Sequence, residues 1–102
     1  MRQFDLVDNP STKSRGHAPY FIVLQSHHLD ELGSVVIAPV VRDAARALTV
    51  LDIPLAFRGE AFVIALSEIA SVDRGLLKSS RGSASEHEDE IRRGLERLLT
   101  GF

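Results

Sequence analysis

Residues 53–66 carry the strongest fold signal in the chain, Ile53-Pro54-Leu55-Ala56-Phe57, Arg58-Gly59-Glu60 and Ala61-Phe62-Val63-Ile64-Ala65-Leu66. The first and last runs are apolar and rich in residues that favour strands. The middle run supplies the glycine that a tight turn requires. This stretch predicts a β-hairpin and, with it, a mainly β fold.

Three more strands are predicted on the N-terminal side of the hairpin. Phe4–Val7 borders polar residues, Tyr20–Leu24 is aromatic and β-branched, and Val35–Val41 is a third apolar run. Pro39 has no N–H to donate, so we expect a bulge there or an edge position for its strand. Residues 9–18 hold hardly any apolar side chain and are expected to form a mobile surface loop.

The chain changes from strand to helix on the C-terminal side of the hairpin. Residues 72–77 predict a weaker strand, and residues 79–83 predict a linker of small residues that ends the β region. Residues 42–48 are rich in helix formers but are too few for an independently stable helix, so their structure stays open. One helix is predicted at the C-terminus, where an apolar stripe recurs at helical spacing on Ile91, Leu95, Leu98 and Leu99.

Both ends of this helix have local signals. Ser83 with Glu86, or Ser85 with Glu88, fits a capping box at the start of the helix. Acidic residues come early in the helix and arginines come late, an order that complements the helix dipole. The sequence therefore specifies the helix locally as well as through its apolar stripe.

The composition fits a single domain spanning residues 1–102. Twelve basic and fourteen acidic residues give a formal charge of −2, too balanced to hold nucleic acid nonspecifically. The chain has no cysteine, which excludes disulfides and a thiolate nucleophile. No apolar run approaches the roughly 18 residues of a membrane span, and Asp5 lies where a secretory signal would be apolar. We therefore expect a soluble cytoplasmic protein that makes no membrane contact.

Adjacent histidines, His27 and His28, are the first candidates for chemistry. Adjacent side chains on a strand point to opposite faces, so shared metal ligation would need an irregular loop. A solvated polar loop explains the same residues, and we predict neither a metal site nor a cofactor. The sequence contains no nucleophile elbow, phosphate-binding glycine loop or dinucleotide fingerprint. The residues alone therefore indicate a protein without catalytic residues.

Several short strings, in their order along the chain, resemble the CcdB family of toxins from toxin–antitoxin modules. They are Gln3-Phe4, Leu24-Gln25-Ser26, the stretch from Leu29-Asp30 through Gly33 to Val40, Ile69–Val72 and Glu88–Ile91. The chain also ends as that family does, with an amphipathic helix, a glycine and one large apolar residue. The resemblance covers nearly the whole chain.

This resemblance implies an α+β fold, an SH3-like small barrel with a C-terminal α-helix, shared with the MazF and Kid ribonuclease toxins. It implies a homodimer that catalyses nothing, binds the A subunit of DNA gyrase and traps the gyrase complex with cleaved DNA. A labile CcdA-like antitoxin would neutralise the toxin. Operator DNA would be contacted only through the antitoxin complex.

The family's gyrase contacts fall on His28, Leu29, Glu96, Leu99, Thr100, Gly101 and Phe102 of this chain. Gly101 matches the family, whereas Phe102 stands in place of an aliphatic residue and Glu96 in place of an asparagine. Thr100 replaces a tryptophan that stacks on a gyrase arginine. An aromatic hot spot contributes about 2 kcal/mol or more, so weaker poisoning is expected unless Phe102 takes over the stacking.

Two other surfaces follow from the resemblance. Antitoxin would bind a groove flanked by residues 8–16 and 42–52. Dimer contacts would involve the C-terminal helix, which makes its leucines candidates for an interface as well as for the core.

Two alternative functions stay open from the sequence. One is a MazF-like endoribonuclease, for which the loose candidates are His17, Arg42, Arg46 and Arg58. The other is a diverged homologue that still binds antitoxin but no longer poisons gyrase.

Overall fold

A computed structural model describes residues 1–42 and 49–101 of the chain. Most of the open segment 42–48 therefore lies outside the described residues, as does Phe102. The strands are β1 (Asp5–Asp8), β2 (Tyr20–Val23), β3 (Ser34–Val41), β4 (Asp52–Phe57), β5 (Glu60–Ala65), β6 (Ala70–Asp73) and β7 (Gly82–Ser83). Helix α1 is Glu88–Thr100, and single 3₁₀ turns lie at His27–Leu29, Leu66–Glu68, Arg74–Leu76 and Ser85–His87.

The strands form one antiparallel sheet that curls into a half-barrel, with a C-terminal helix, as expected for the SH3-like class. The strand order is β4-β5-β3-β2-β1-β7, and β6 pairs with β3 beside this path. The main core joins the inner face of the sheet to α1, through buried side chains that include Leu6, Ile22, Ile64, Leu66 and Ile91. The mainly β prediction is therefore confirmed.

The predicted hairpin is confirmed in detail. Strands β4 and β5 pair from Asp52 with Ala65 to Phe57 with Glu60, which leaves a two-residue turn. Both turn residues are left-handed, with φ of 52° at Arg58 and 76° at Gly59. Two left-handed residues in a row match the right-handed twist of the flanking strands.

Strand β3 lies inside the sheet, so the edge position expected from Pro39 is wrong. One side of β3 pairs continuously with β2, with Pro39 opposite Phe21 and no bulge. On the other side, β6 pairs with residues 34–37 of β3 and β5 pairs with residues 40 and 41. Pro39 falls in the gap between these partners, where no ladder bond needs its missing N–H.

Two predictions on the C-terminal side need correction. The weaker strand is Ala70–Asp73 instead of 72–77, because Asp73 accepts a hydrogen bond from the Gly75 N–H and starts a 3₁₀ turn. The predicted linker at 79–83 contains strand β7, which pairs with β1. A Cβ at Gly82 would lie 2.6 Å from the Phe57 ring, so this close approach depends on glycine.

Helix α1 confirms the predicted C-terminal helix, but neither capping box forms. The Ser83 hydroxyl accepts from the Ser85 N–H (3.1 Å) and starts a 3₁₀ turn, and His87 precedes α1 without a side-chain cap. On the apolar stripe Ile91 is buried, and the leucines become more exposed toward the end of the helix. Among the described residues, no helix is long and apolar enough to cross a bilayer.

The loop at residues 9–18 is exposed over residues 11–17 but is fastened at its base. Asn9 is buried, and its amide donates to the Ser14 hydroxyl (2.9 Å) and to the Ala18 carbonyl (2.8 Å). The Arg15 guanidinium donates to the Asn9 carbonyl (2.9 Å). One buried amide therefore organises a segment that composition alone describes as a mobile loop.

Candidate functional site

The last residues of α1 are exposed to solvent. Gly101 adopts a left-handed conformation (φ 80°), and its N–H bonds to the Arg97 carbonyl (2.8 Å) and ends the helix. Leu99 is 74% exposed, the largest exposure among the large apolar side chains of the described residues. The Thr100 hydroxyl donates to the Glu96 carbonyl, so it is satisfied within the helix.

One flank of α1 carries three of the predicted gyrase contacts. A shallow depression of about 290 Å³ is lined by Arg92, Leu95, Glu96, Leu99 and Thr100. Arg92 pairs with Glu88 (2.9 Å) and lies over the ring of Phe4, 5.8 Å from its centroid. We name this flank, including Gly101, the tail surface. It is an apolar surface with one arginine held in place and one exposed glutamate.

The other predicted contacts lie on a 3₁₀ turn. His28 and Leu29 are both exposed there, and the Ser26 hydroxyl accepts from the His28 N–H (3.2 Å). Within residues 1–42 and 49–101, no hydrogen bond or ion pair joins this turn to α1. The structure thus groups Glu96, Leu99 and Thr100, and leaves the histidine turn as a separate exposed segment.

His27 is a feature that the sequence did not reveal. Its Nε2 lies 3.2 Å from the Arg2 guanidinium, which donates to it, and its buried Nδ1 has no hydrogen-bond partner. Burial, followed by the positive charge of Arg2, holds the pKa of His27 below its ordinary value. The rings of His27 and His28 are 4.5 Å apart in a 3₁₀ turn instead of on opposite faces of a strand. In the described ranges, no three His, Asp or Glu side chains are placed to hold a metal ion.

A second cluster contains three of the four ribonuclease candidates. The Arg42 N–H donates to the His17 carbonyl (3.0 Å), and the Arg42 guanidinium pairs with Glu60 (3.4 Å). Arg42 lies over Phe62, and Arg58 lies over Phe57. Arg46 falls outside the described residues.

The aromatic rings of this cluster are packed together. Tyr20 contacts Phe57 and Phe62 edge to face, with centroids 5.3 and 5.6 Å apart. Arg81 adds a third guanidinium to this side of the sheet, bonded twice to Asp8 (2.7 and 3.0 Å). Its hydrogen bonds to Asp8 hold the pKa of Arg81 above its ordinary value. The cluster therefore consists of three packed aromatic rings with three arginines around them. Two of these arginines, Arg42 and Arg81, pair with carboxylates.

Solved structures of MazF-type toxins have the same fold. A MazE–MazF complex from Deinococcus radiodurans (form I) superposes with a TM-score of 0.75 at 21% identity, covering 100% of this chain and 97% of that chain. The toxin MazF-mt6 of Mycobacterium tuberculosis gives 0.73 at 14% identity, with 96% of each chain covered. An endoribonuclease in complex with its cognate antitoxin, from a mycobacterial species, superposes with a TM-score of 0.73 at 11% identity. The match covers 97% of this chain and 93% of that chain. The fold thus defines the class, a small β-barrel of the MazF type.

Sequence comparison gives the family. The CcdB protein family matches residues 3–101, nearly the whole chain, and the chain belongs to it. Membership places the chain among the toxins of toxin–antitoxin modules, as the order of its sequence strings predicts. A comparison with individual curated proteins finds no match.

Proposed function

We propose that this chain is a non-catalytic toxin that binds the A subunit of DNA gyrase, traps the cleaved gyrase–DNA complex and is neutralised by a CcdA-like antitoxin. Membership of the CcdB family over residues 3–101 is the observation that carries this proposal. The active form under this proposal is a homodimer. The relevant contacts are the tail surface, Phe102 and the turn with His28 and Leu29.

The tail surface supports a binding role. Burying an exposed leucine side chain at an interface contributes about 2 kcal/mol to binding. Leu99 is such a side chain, and Thr100 and Gly101 follow it on the same exposed end. The apolar character of this flank therefore suits a protein partner better than a charged nucleic acid.

Growth of cells in which the chain is induced tests this proposal. We expect growth arrest with gyrase-dependent DNA breaks from the full chain, and neither effect from a chain that ends at Leu99. Co-expression of the cognate antitoxin should restore growth. Growth without arrest, from a folded full-length protein, would favour the diverged homologue that pairs with antitoxin only.

A ribonuclease is the second candidate, because guanidinium groups over aromatic rings provide both charge and stacking for single-stranded RNA. Arg42 over Phe62 and Arg58 over Phe57 supply that arrangement. In this cluster Arg42 and Arg81 are already paired with carboxylates, and only Arg58 is not. The ribonuclease is therefore the weaker proposal. RNA cleavage by the purified protein, abolished in Arg42→Gln, would support it, whereas gyrase-dependent breaks with intact RNA would reject it.

A further inference from the structure

One flank of α1 carries more negative than positive charge. Glu88, Arg92 and Glu96 follow one another at four-residue spacing, so a single guanidinium lies between two carboxylates along the helix. Arg92 is bonded to the first of them, with its Nε 2.9 Å from Oε2 of Glu88. Within residues 1–42 and 49–101, the side chain of Glu96 makes no hydrogen bond or ion pair. The Glu96 carboxylate is therefore without a cation in this part of the chain.

The preference of Arg92 for Glu88 has two physical causes. On a helix, a glutamate four residues before a basic residue gives a more favourable pair than the reverse order. The Arg92 guanidinium also lies over the ring of Phe4, 5.8 Å from its centroid, and the face of the ring attracts the positive charge. Both contacts hold Arg92 at the start of the flank and leave Glu96 unpaired.

The ring beneath Arg92 is a fixed part of the fold. Phe4 has a φ of 69°, in the left-handed region that bulky residues rarely adopt. Its N–H donates to the Val23 carbonyl (2.6 Å), and its carbonyl accepts from the Ala84 N–H (2.8 Å). Phe4 also belongs to the main core. The position of Arg92 is therefore supported from below by buried structure.

Glu96 lies on the apolar part of this flank. It lines the depression of the tail surface together with Leu95 and Leu99, and Leu99 is 74% exposed. A partner that covers Leu99 also removes water from Glu96, because both side chains line the same depression. A carboxylate that loses its water is unfavourable unless a cation pairs with it. The partner therefore has to supply the cation that α1 does not.

A basic side chain suits both properties of this surface. Lysine and arginine have apolar stems that pack along apolar surface while their charged ends reach a polar group. Leu95 and Leu99 provide the apolar surface beside the Glu96 carboxylate. A nucleic acid is the less suitable occupant, because its phosphates would be repelled by the surplus negative charge of the flank.

We propose that Glu96 binds a basic side chain of the gyrase A subunit, whose apolar stem packs against Leu95 and Leu99. The identity of the partner rests on the proposed function. The family resemblance implies an asparagine at this position, which has no charge to pair. The ion pair is therefore a feature of this chain and not of the family pattern.

Affinity for the purified A subunit of gyrase from the source organism tests this inference, measured by calorimetry with the full chain. Glu96→Gln keeps the shape of the side chain and removes its charge, so it should weaken binding at least about tenfold. Asp89→Asn removes the same charge from an exposed position in the first turn of α1, outside the tail surface. This control should change affinity less than about twofold, and thermal unfolding of each variant checks that the fold is intact.

Arg92→Gln distinguishes between the two charged groups of the tail surface. It removes a positive charge that repels an incoming basic side chain, so this variant should bind gyrase A more tightly than the wild type. The affinity of the wild type should also fall as the salt concentration rises, and the affinity of Glu96→Gln should fall less.

Three results would overturn the inference. They are an affinity of Glu96→Gln equal to or higher than that of the wild type, an equal loss in Asp89→Asn, and a loss in Arg92→Gln as large as that in Glu96→Gln. A wild-type chain that does not bind gyrase A would reject both this inference and the proposed function.

DNA cleavage separates the inference from the proposed poisoning. If binding of gyrase A depends on Glu96 while the wild type produces no cleaved complex, the inference stands and the poisoning proposal fails. If the wild type produces cleaved complex and Glu96→Gln binds gyrase A as tightly as the wild type, the proposed function stands and the inference fails.

Discussion

Gly94 shows how a single residue sets the distance between α1 and the sheet. A Cβ at this position would collide with Cδ1 of Leu66, which is fully buried. Alanine would gain about 1 kcal/mol of helix propensity, but overpacking a core costs about 1–3 kcal/mol. We expect Gly94→Ala to lower the free energy of unfolding by about 1 kcal/mol, measured by urea denaturation.

The same collision provides a control for Gly94→Ala. Leu66→Val shortens the side chain that the new methyl group meets, so it should recover part of the loss in the Gly94→Ala background. A Gly94→Ala protein as stable as the wild type would show that the helix can move away at no cost.

Thr100 is the proposed gyrase contact at which the family resemblance implies a tryptophan. Its hydroxyl bonds back to the Glu96 carbonyl and offers no ring to a partner. If the tail surface binds gyrase, Thr100→Trp should lower the concentration for half-maximal DNA cleavage at least about tenfold, because aromatic anchors contribute about 2 kcal/mol or more. Thr100→Val, which replaces the hydroxyl with a methyl group, should leave that concentration nearly unchanged. An unchanged or higher concentration for Thr100→Trp would argue against gyrase contact at this position.

His27 should make the stability of the protein depend on pH. Its pKa is held below the ordinary value of about 6.5, so the unfolded chain takes up the proton first as the pH falls. The stabilisation from neutral His27 is therefore complete above about pH 6.5 and is lost as the pH falls through the lowered pKa. Urea denaturation at several pH values should show that the free energy of unfolding falls less toward acid pH in His27→Gln than in the wild type.

The adjacent histidine gives a matched control for this pH dependence. His28→Gln removes an exposed ring and leaves His27 with its Arg2 contact, so the acid loss of stability should persist. Equal pH profiles for the wild type and His27→Gln would contradict the role of His27.

At the scale of elements, the β4–β5 hairpin depends on its two-residue turn. Gly59 has a φ of 76°, a conformation that costs an alanine about 1 kcal/mol or more. Gly59→Ala should therefore lower the free energy of unfolding by about that amount. Gly16→Ala, at a glycine with nothing near its Cβ position and no positive φ, should be neutral or slightly stabilising. The reverse order of the two variants would contradict the turn assignment.

The sequence predicted those elements whose signals are local. The 53–66 hairpin and the C-terminal helix contain their own turn residue and apolar periodicity, and both are confirmed. The edge position predicted from Pro39 was wrong because the cost of its missing N–H depends on the neighbouring strands. Pro39 lies between the part of β3 that pairs with β6 and the part that pairs with β5. Strand β7 could not be predicted from its small residues, because its pairing with β1 lies far away in sequence.

At the scale of the whole molecule, the family resemblance predicted the small barrel with a C-terminal helix, and the curled sheet and the MazF-type structural neighbours confirm it. Of the predicted gyrase contacts, those on α1 share one surface because helical spacing brings them together. The Arg2–His27 and Arg81–Asp8 contacts join residues 25 and 73 positions apart, and no local pattern signals such pairs.

The most direct test of the gyrase proposal is a DNA-cleavage assay with gyrase from the source organism. It compares the full chain with a chain that ends at Leu99, after circular dichroism has shown that both are folded. We predict that cleaved complex accumulates with the full chain and not with the shortened one, because the proposed gyrase contacts include Thr100, Gly101 and Phe102. No cleaved complex with the full chain, or equal amounts with both, would contradict poisoning through the end of α1.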